Sequence, residues 1–320
     1  MLLMGLEACD TVIGLRDTGL PVAELGVIYL RLLHGHPELF YVAPRLSYGY
    51  TESSVNGVPC RTVTEVYPVY TMTGEELTAA RTLFKEGISS VLTEMEEAFG
   101  GGTRSEAETV LYLHDWLAEQ VSYDTRPEQE ANADAYSLLR DGRGICQAYS
   151  LAFLALARGA GLEADLVVSD GMDHAWNHVR VDGVWYHVDV TRDDPIPPEG
   201  GSPAVTHTRL LRSDGGMSAL GYVGYACASG HTCTDTRYET SEGGLLDGFS
   251  TPLTHVGTGW VGMDGEGGMV GVKFTETSVI VGQVGDVNVD GSIDPVDLLA
   301  VYDPALPEDW REWMRGRLVK

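Results

Sequence analysis

One segment constrains the fold more than any other. It runs His174-Ala175-Trp176-Asn177-His178-Val179-Arg180-Val181, then Asp182-Gly183, then Val184-Trp185-Tyr186-His187-Val188-Asp189-Val190. Asp-Gly between two β-prone runs signals a two-residue hairpin, whose tight turn needs residues that tolerate positive φ. The turn pairs Val181 with Val184. Counting outward puts Trp176 opposite Asp189 and His174 opposite Thr191. Side chains alternate with period two, so His174 and Asp189 share a face as diagonal neighbours. A one-residue slip would abolish that relation. In it, the Asp189 carboxylate accepts from the His174 imidazole and fixes its tautomer and orientation.

A second feature supplies a nucleophile. Gly144-Ile145-Cys146-Gln147-Ala148-Tyr149 opens an apolar stretch, 145–160, read as a helix ending at Gly161. A thiol at a helix N-terminus meets unpaired N–H groups and the positive end of the dipole, both of which favour the thiolate. Taken alone, such a cysteine reads equally as a small buried apolar residue. With the hairpin, Cys146, His174 and Asp189 stand in chain order as nucleophile, base and orienting group. Whether Cys146 reaches His174 depends on the tertiary fold. The Cys146 backbone N–H is the natural first oxyanion donor, with Tyr136 as a side-chain contributor or a packed aromatic. His178 and His187 face each other across the hairpin and, with His174, suggest zinc. The sequence offers no evident third ligand or outer shell for it, and paired histidines are the plainer reading. Asp193-Asp194 before Pro195 reads as a turn.

Around this centre the chain reads as α+β. A helix is expected over 20–33, a strand-like stretch from His36 to Val42, and β-rich sequence over 46–70 with a turn at Asn56-Gly57. Thr73 with Glu76, and Ser105 with Glu108, form two capping boxes. They open a helix reaching Phe99 and another reaching Val121. Strands are expected at 164–169, 174–182 and 184–191, and a loop at 195–203. Four regions follow. Residues 1–104 are an N-terminal α/β region packed on the core, and 105–240 are the catalytic core. Residues 241–282 are a glycine-rich β segment or linker, and 283–320 a calcium-binding segment.

That last segment carries its own pattern. With Asp286 as position 1 of a 12-residue loop, side-chain oxygens fall at Asp286, Asn288, Asp290, Asp294 and Asp297, and Gly291 stands at position 6. Ser292 would offer its backbone carbonyl. This is calcium-loop spacing.

Charge narrows the partners. The chain holds 21 Lys and Arg against 47 Asp and Glu, a net of −26, which disfavours nucleic acid and anionic membrane surfaces. No apolar run approaches the roughly 18–20 residues of a membrane span. Five cysteines are too few for a disulfide scaffold. Cys227 and Cys233 would bridge in an oxidising compartment or otherwise sit as buried thiols. The N-terminus lacks the basic start and long apolar run of a signal peptide.

Several spaced motifs, in order, resemble the transglutaminase-like core of bacterial proteins. They are Leu113-His114-Asp115-Trp116-Leu117, Tyr123-Asp124, Ala135-Tyr136-Ser137-Leu138-Leu139, Gly144 to Tyr149, His174 to Asn177 and Trp185 to Thr191. The resemblance implies a papain-like α+β core, with a helix bearing Cys146 packed on an antiparallel sheet bearing His174 and Asp189. It departs at Arg192, where relatives commonly have Trp, and at Ala148, where they commonly have Gly. It implies cysteine-dependent acyl transfer through a thioester, with no cofactor for catalysis, and hydrolysis of peptide or protein amides is the favoured outcome. Amide cross-linking and a non-catalytic cell-surface binding module are the alternatives. The resemblance also implies an extracellular or cell-surface setting. Residues 286–302 resemble one calcium repeat of a dockerin type I module. Such modules normally carry two repeats, so a cohesin-like partner is weakly implied.

Overall fold

The computed structural model describes residues 1–55, 58–126, 131–196, 205–227, 229–275, 278–293, 296–297, 304–308 and 310–313. The Asn56-Gly57 turn and Asp294 lie outside these residues.

The fold is α+β, as the sequence implied. Its centre is a five-stranded antiparallel sheet in the spatial order Ala226–Cys227, Ala164–Ser169, His174–Val181, Val184–Val188, Leu210–Arg212. The hairpin turns at Asp182 (φ +50°) and Gly183 (φ +82°), the positive values the Asp-Gly pair predicts. Its register is Val181 against Val184 through Asn177 against Val188. The expected strand 184–191 stops at Val188. Asp189 leaves the ladder to cap a short helix, Val190–Asp193, by accepting the Arg192 N–H. His174 therefore has no partner at Thr191; it pairs with Ser169 on the other side.

The helix Cys146–Gly159 packs against this sheet. Ala148, Ala152, Phe153, Leu154, Leu156 and Ala157 are fully buried, because sheet and helices surround this helix on nearly all sides. Gly144 makes its entry possible. A Cβ there would lie 2.7 Å from Ala148 Cβ and 2.9 Å from Leu138 Cδ1. Around it stand the helices Gly74–Ala98, Glu106–Gln120 and Ala135–Asp141. The Ser105–Glu108 capping box forms in full. The Thr73–Glu76 box does not: Thr73 is the N-cap, but its side chain makes no capping bond.

The N-terminal region has a core of its own, with Leu25, Tyr29, Tyr41, Val63 and Val66 beneath the strands Val42–Val55 and Val58–Tyr70. The strand-like stretch expected from His36 instead begins as a 3-10 turn, Pro37–Leu39, since proline cannot donate to a ladder.

The glycine-rich stretch is a four-stranded antiparallel sheet: Thr254–Val256, Gly259–Met263, Met269–Phe274 and Val279–Val284. It is not a linker, because Trp260, Val270, Val272 and Val279 belong to the same core as the cysteine helix. One glycine explains part of the composition. A Cβ on Gly271 would stand 2.4 Å from the Val287 carbonyl oxygen. The bare backbone lets the acidic loop lie against the sheet, where Gly271 N–H donates to the Asp286 carbonyl at 3.2 Å. Val287, Leu306 and Trp310 then pack on Val261 and Met269. Among the described residues no helix is long and apolar enough to cross a membrane.

Candidate active site

The hairpin and the cysteine helix meet where the counted register placed the chemistry. His174 Nε2 donates to Asp189 Oδ2 at 2.7 Å. The Cys146 thiol lies within hydrogen-bond reach of His174. With Nε2 engaged, the imidazole presents Nδ1 to the sulfur. His174 starts its strand directly after Asp173, whose φ of +48° ends the preceding turn. His174 and Asp189 are buried, whereas Cys146 is half-buried, so the thiol is reachable and the other two side chains are sheltered.

The electrostatics follow from this shelter. Burial alone would push the His174 imidazolium down. Its hydrogen bonds to Asp189 and Cys146 outweigh burial and hold it up to about 9. Burial likewise works against the Asp189 carboxylate, but His174, the Tyr222 hydroxyl and the Arg192 N–H hold it below its ordinary value. The Tyr222 hydroxyl donates to the same oxygen as His174, and Arg192 N–H donates to the other at 3.2 Å. The Arg192 guanidinium lies 4.8 Å from the Tyr222 ring centroid. Arg192, a departure from the resemblance, thus supports the orienting carboxylate both directly and through Tyr222.

The sequence reading missed Tyr222, which lies 33 residues from Asp189 on a separate loop. Nothing local signals that contact. It also left out Tyr123, although Tyr123-Asp124 was among the resembling motifs. Burial raises the Tyr123 hydroxyl, and Cys146, Asp173 and Asp124 raise it further. Tyr136 is occupied elsewhere. It stacks on Phe40 with centroids 4.6 Å apart and lies under the Arg140 guanidinium, so the packed-aromatic reading describes it.

A buried polar cluster fixes the turn that follows Asp189. Asp193 is fully buried and accepts Arg209 N–H at 2.8 Å, Thr206 Oγ1 at 3.0 Å and His114 Nε2 at 3.3 Å. Asp115 accepts His114 Nδ1, His207 Nε2 and Leu253 N–H at 2.8, 2.9 and 2.7 Å. Burial opposes charge on His114, yet the two carboxylates raise it to about 9. Asp193 thus ends the short helix Val190–Asp193 and Asp194 caps it, where the sequence suggested a turn. Asp194 accepts the Tyr149 hydroxyl at 2.6 Å.

On the other side of His174, the Trp176 ring stacks at 5.7 Å. Trp176 Nε1 donates to His187 Nδ1 at 2.9 Å, and His187 Nε2 donates to Asp214 Oδ1 at 2.9 Å. His178 stands opposite His187, as counted, and burial pushes its imidazolium down to about 3. Cys227 and Cys233 are both free thiols, each raised by burial.

The acidic loop is well shaped where it is described. Asp286 and Asp297 are buried. Asp290 and Gly291 N–H groups donate to the two Asp286 oxygens at 3.1 Å each. Val287 and Asn288 N–H groups donate to Asp297 Oδ1 at 2.8 and 3.2 Å. Asn288 Nδ2 donates to Asp290 Oδ2 at 3.0 Å, and Ser292 N–H to Asp290 Oδ1 at 2.9 Å.

Residues 93–190 match the model of the transglutaminase-like superfamily. The kyphoscoliosis peptidase of Mus musculus is 26% identical over 134 residues, covering 36% of this chain and 20% of that protein. Its Homo sapiens counterpart is 25% identical over the same coverage. The match thus spans about a fifth of the length of these curated relatives. A solved structure of a TGase superposes over 46% of this chain and 44% of its own, at 18% identity and a TM-score of 0.29. The hairpin and the cysteine helix both fall inside the stretch that matches the transglutaminase-like superfamily.

Proposed function

We propose that the protein is a cysteine-dependent amide hydrolase acting on peptides or proteins, with Cys146 as nucleophile, His174 as base and acid, and Asp189 as orienting group. The observation that carries this reading is the continuous Asp189–His174–Cys146 chain. His174 Nδ1 already holds the proton that leaves the Cys146 thiol, and the sulfur attacks the scissile carbonyl. The C–N bond then breaks, and His174 returns the proton to the departing amine, leaving a Cys146 thioester. Water, deprotonated by His174, releases the acid and restores the thiol. The Cys146 backbone N–H is the first oxyanion donor in this reading, with the Tyr123 hydroxyl as a candidate second donor. Relatives named as peptidases favour water over an amine as the acceptor.

Iodoacetamide labelling of the native protein near neutral pH tests the nucleophile. Cys146 should label first among the five thiols, well ahead of the half-buried Cys227 and the buried Cys233. Labelling of Cys146 no faster than those two overturns the assignment. Release of peptide ends without cross-linked products, when a protein substrate and a primary amine are both supplied, separates hydrolysis from transglutamination.

We further infer that the loop from Asp286 to Asp297 binds one calcium ion. Its donors, Asp286, Asn288, Asp290, the Ser292 carbonyl and Asp297, are all oxygen, which suits a hard cation of flexible coordination. Asp294 is the remaining expected ligand. Calorimetry on the full chain, with Asp290→Ala as control, tests it; equal calcium heat from both proteins would remove the site.

A further inference from the structure

His178 poses a problem that hydrogen bonding does not solve. It is 1% exposed, and neither ring nitrogen has a hydrogen-bond partner among the described residues. Buried polar groups are rarely left so. Around it the fold gathers metal-binding atoms from three separate places: His187 across the hairpin, Asp214 from the start of the helix Asp214–Ala219, and Cys233 from the loop beyond. One ligand atom from each of the four lies within 4.8 Å of the others.

Their hydrogen bonds sort the four. Trp176 has only a donor, so His187 Nδ1 must accept from it. His187 Nε2 therefore keeps its proton and gives it to Asp214 Oδ1. His187 has no lone pair left for a metal; it orients the carboxylate instead, as outer partners of metal sites do. Asp214 is held further by the Tyr225 hydroxyl at 3.0 Å and by Cys233 N–H at 2.8 Å. What remains is an imidazole, a carboxylate and a thiol, all with open lone pairs.

We propose that His178, Asp214 and Cys233 bind one zinc ion. Imidazole with thiolate selects zinc over magnesium or calcium, which prefer oxygen alone. As the Zn–S bond forms, the Cys233 proton leaves to solvent; His178 binds through its neutral form. Thiolate and carboxylate together balance the dication, so the site carries no net charge. The Asp214 side chain is 35% exposed, which gives the ion its entry and leaves the fourth corner to water. The ion ties the loop carrying Cys233 to the hairpin carrying His174. It lies off the reacting atoms and stabilises the frame.

The test uses the full chain with Cys146→Ala, so that the catalytic Cys–His pair cannot bind metal. Calcium in excess fills any oxygen-only site. After chelator treatment and re-addition of zinc, one zinc per chain should survive desalting and raise the thermal midpoint. Cobalt in its place should give a thiolate-to-cobalt charge-transfer band. Adding Cys233→Ser should remove the band and the midpoint shift, and adding His178→Gln should weaken zinc binding at least 10-fold. Circular dichroism identifies a variant that does not fold, and the other variant then decides. No retained zinc, or retention undiminished in the folded variants, overturns the site.

Discussion

The hairpin region and the acidic C-terminal loop both bury carboxylates, and they stabilise them differently. In the hairpin region each buried acid has a partner able to carry positive charge. Asp189 has His174, Asp115 has His114 and His207, and Asp193 has His114 and Arg209. In the loop, Asp286 receives backbone N–H groups, and no basic side chain of the described residues pairs with it. Backbone dipoles orient the Asp286 carboxylate but do not neutralise it. The first region is organised by its own charges, and we expect the second to need an added cation. The buried carboxylates are thus satisfied in two ways, by basic side chains around the hairpin and by backbone N–H groups at Asp286.

The largest effect should come from the nucleophile. Cys146→Ala should lower turnover on the order of 10⁶-fold, as when a triad nucleophile is removed, while thermal unfolding stays cooperative. Retained turnover would break the catalytic half of the comparison. Asp189→Asn should cost on the order of 10⁴-fold in kcat, because His174 loses its orienting acceptor. Asp290→Ala should leave kcat unchanged, since the proposed acyl transfer uses only the Cys146, His174 and Asp189 side chains; a loss there would couple the two regions.

Ion binding supplies the next test. Calcium at about 100 times its Kd should stabilise the native chain by about 2.7 kcal/mol, read as a shift in thermal midpoint. Gly271→Ala should blunt that shift, because its Cβ would displace the loop backbone from the sheet. If Gly271→Ala leaves the calcium response intact, the docked geometry does not form the site.

The pH dependence sharpens the contrast. His174 is raised from 6.5 to about 9, so between those values the folded protein binds the extra proton. The stability it contributes is complete below pH 6.5 and is lost as pH rises through about 9. The difference in midpoint between the native chain and His174→Gln should shrink over that window. A difference that stays flat would mean the imidazolium is not held by Asp189 and Cys146. The smallest catalytic effect should be that of Tyr222→Phe, about 10-fold in kcat, the value of one hydrogen bond to a charged group. Because the hydroxyl holds Asp189, the loss should fall on kcat rather than KM.

Much of the site was legible in the sequence because its decisive relation is local. Asp182-Gly183 sets a register, and alternation then brings His174 to Asp189 over 15 residues without help from the rest of the chain. The acidic loop is legible for the same reason: its 12 positions specify their own turn. The helix start at Cys146 and the Ser105–Glu108 box are likewise short-range. The failures also had local causes. The strand read to Thr191 ended at Val188 because Asp189 prefers to cap a helix. The Thr73 box was a pattern whose side-chain bond did not form.

Tertiary structure alone decided what joins distant segments. It brought the thiol to His174, set Tyr222 on Asp189, seated Asp193 between His114 and Arg209, and gathered Asp214 and Cys233 around His178. These partners come from loops whose paths depend on how the sheet, the cysteine helix and the glycine-rich strands pack. A turn fixes only the few residues on either side of it. Contacts made after a long excursion are fixed by packing, in which every side chain of the core takes part.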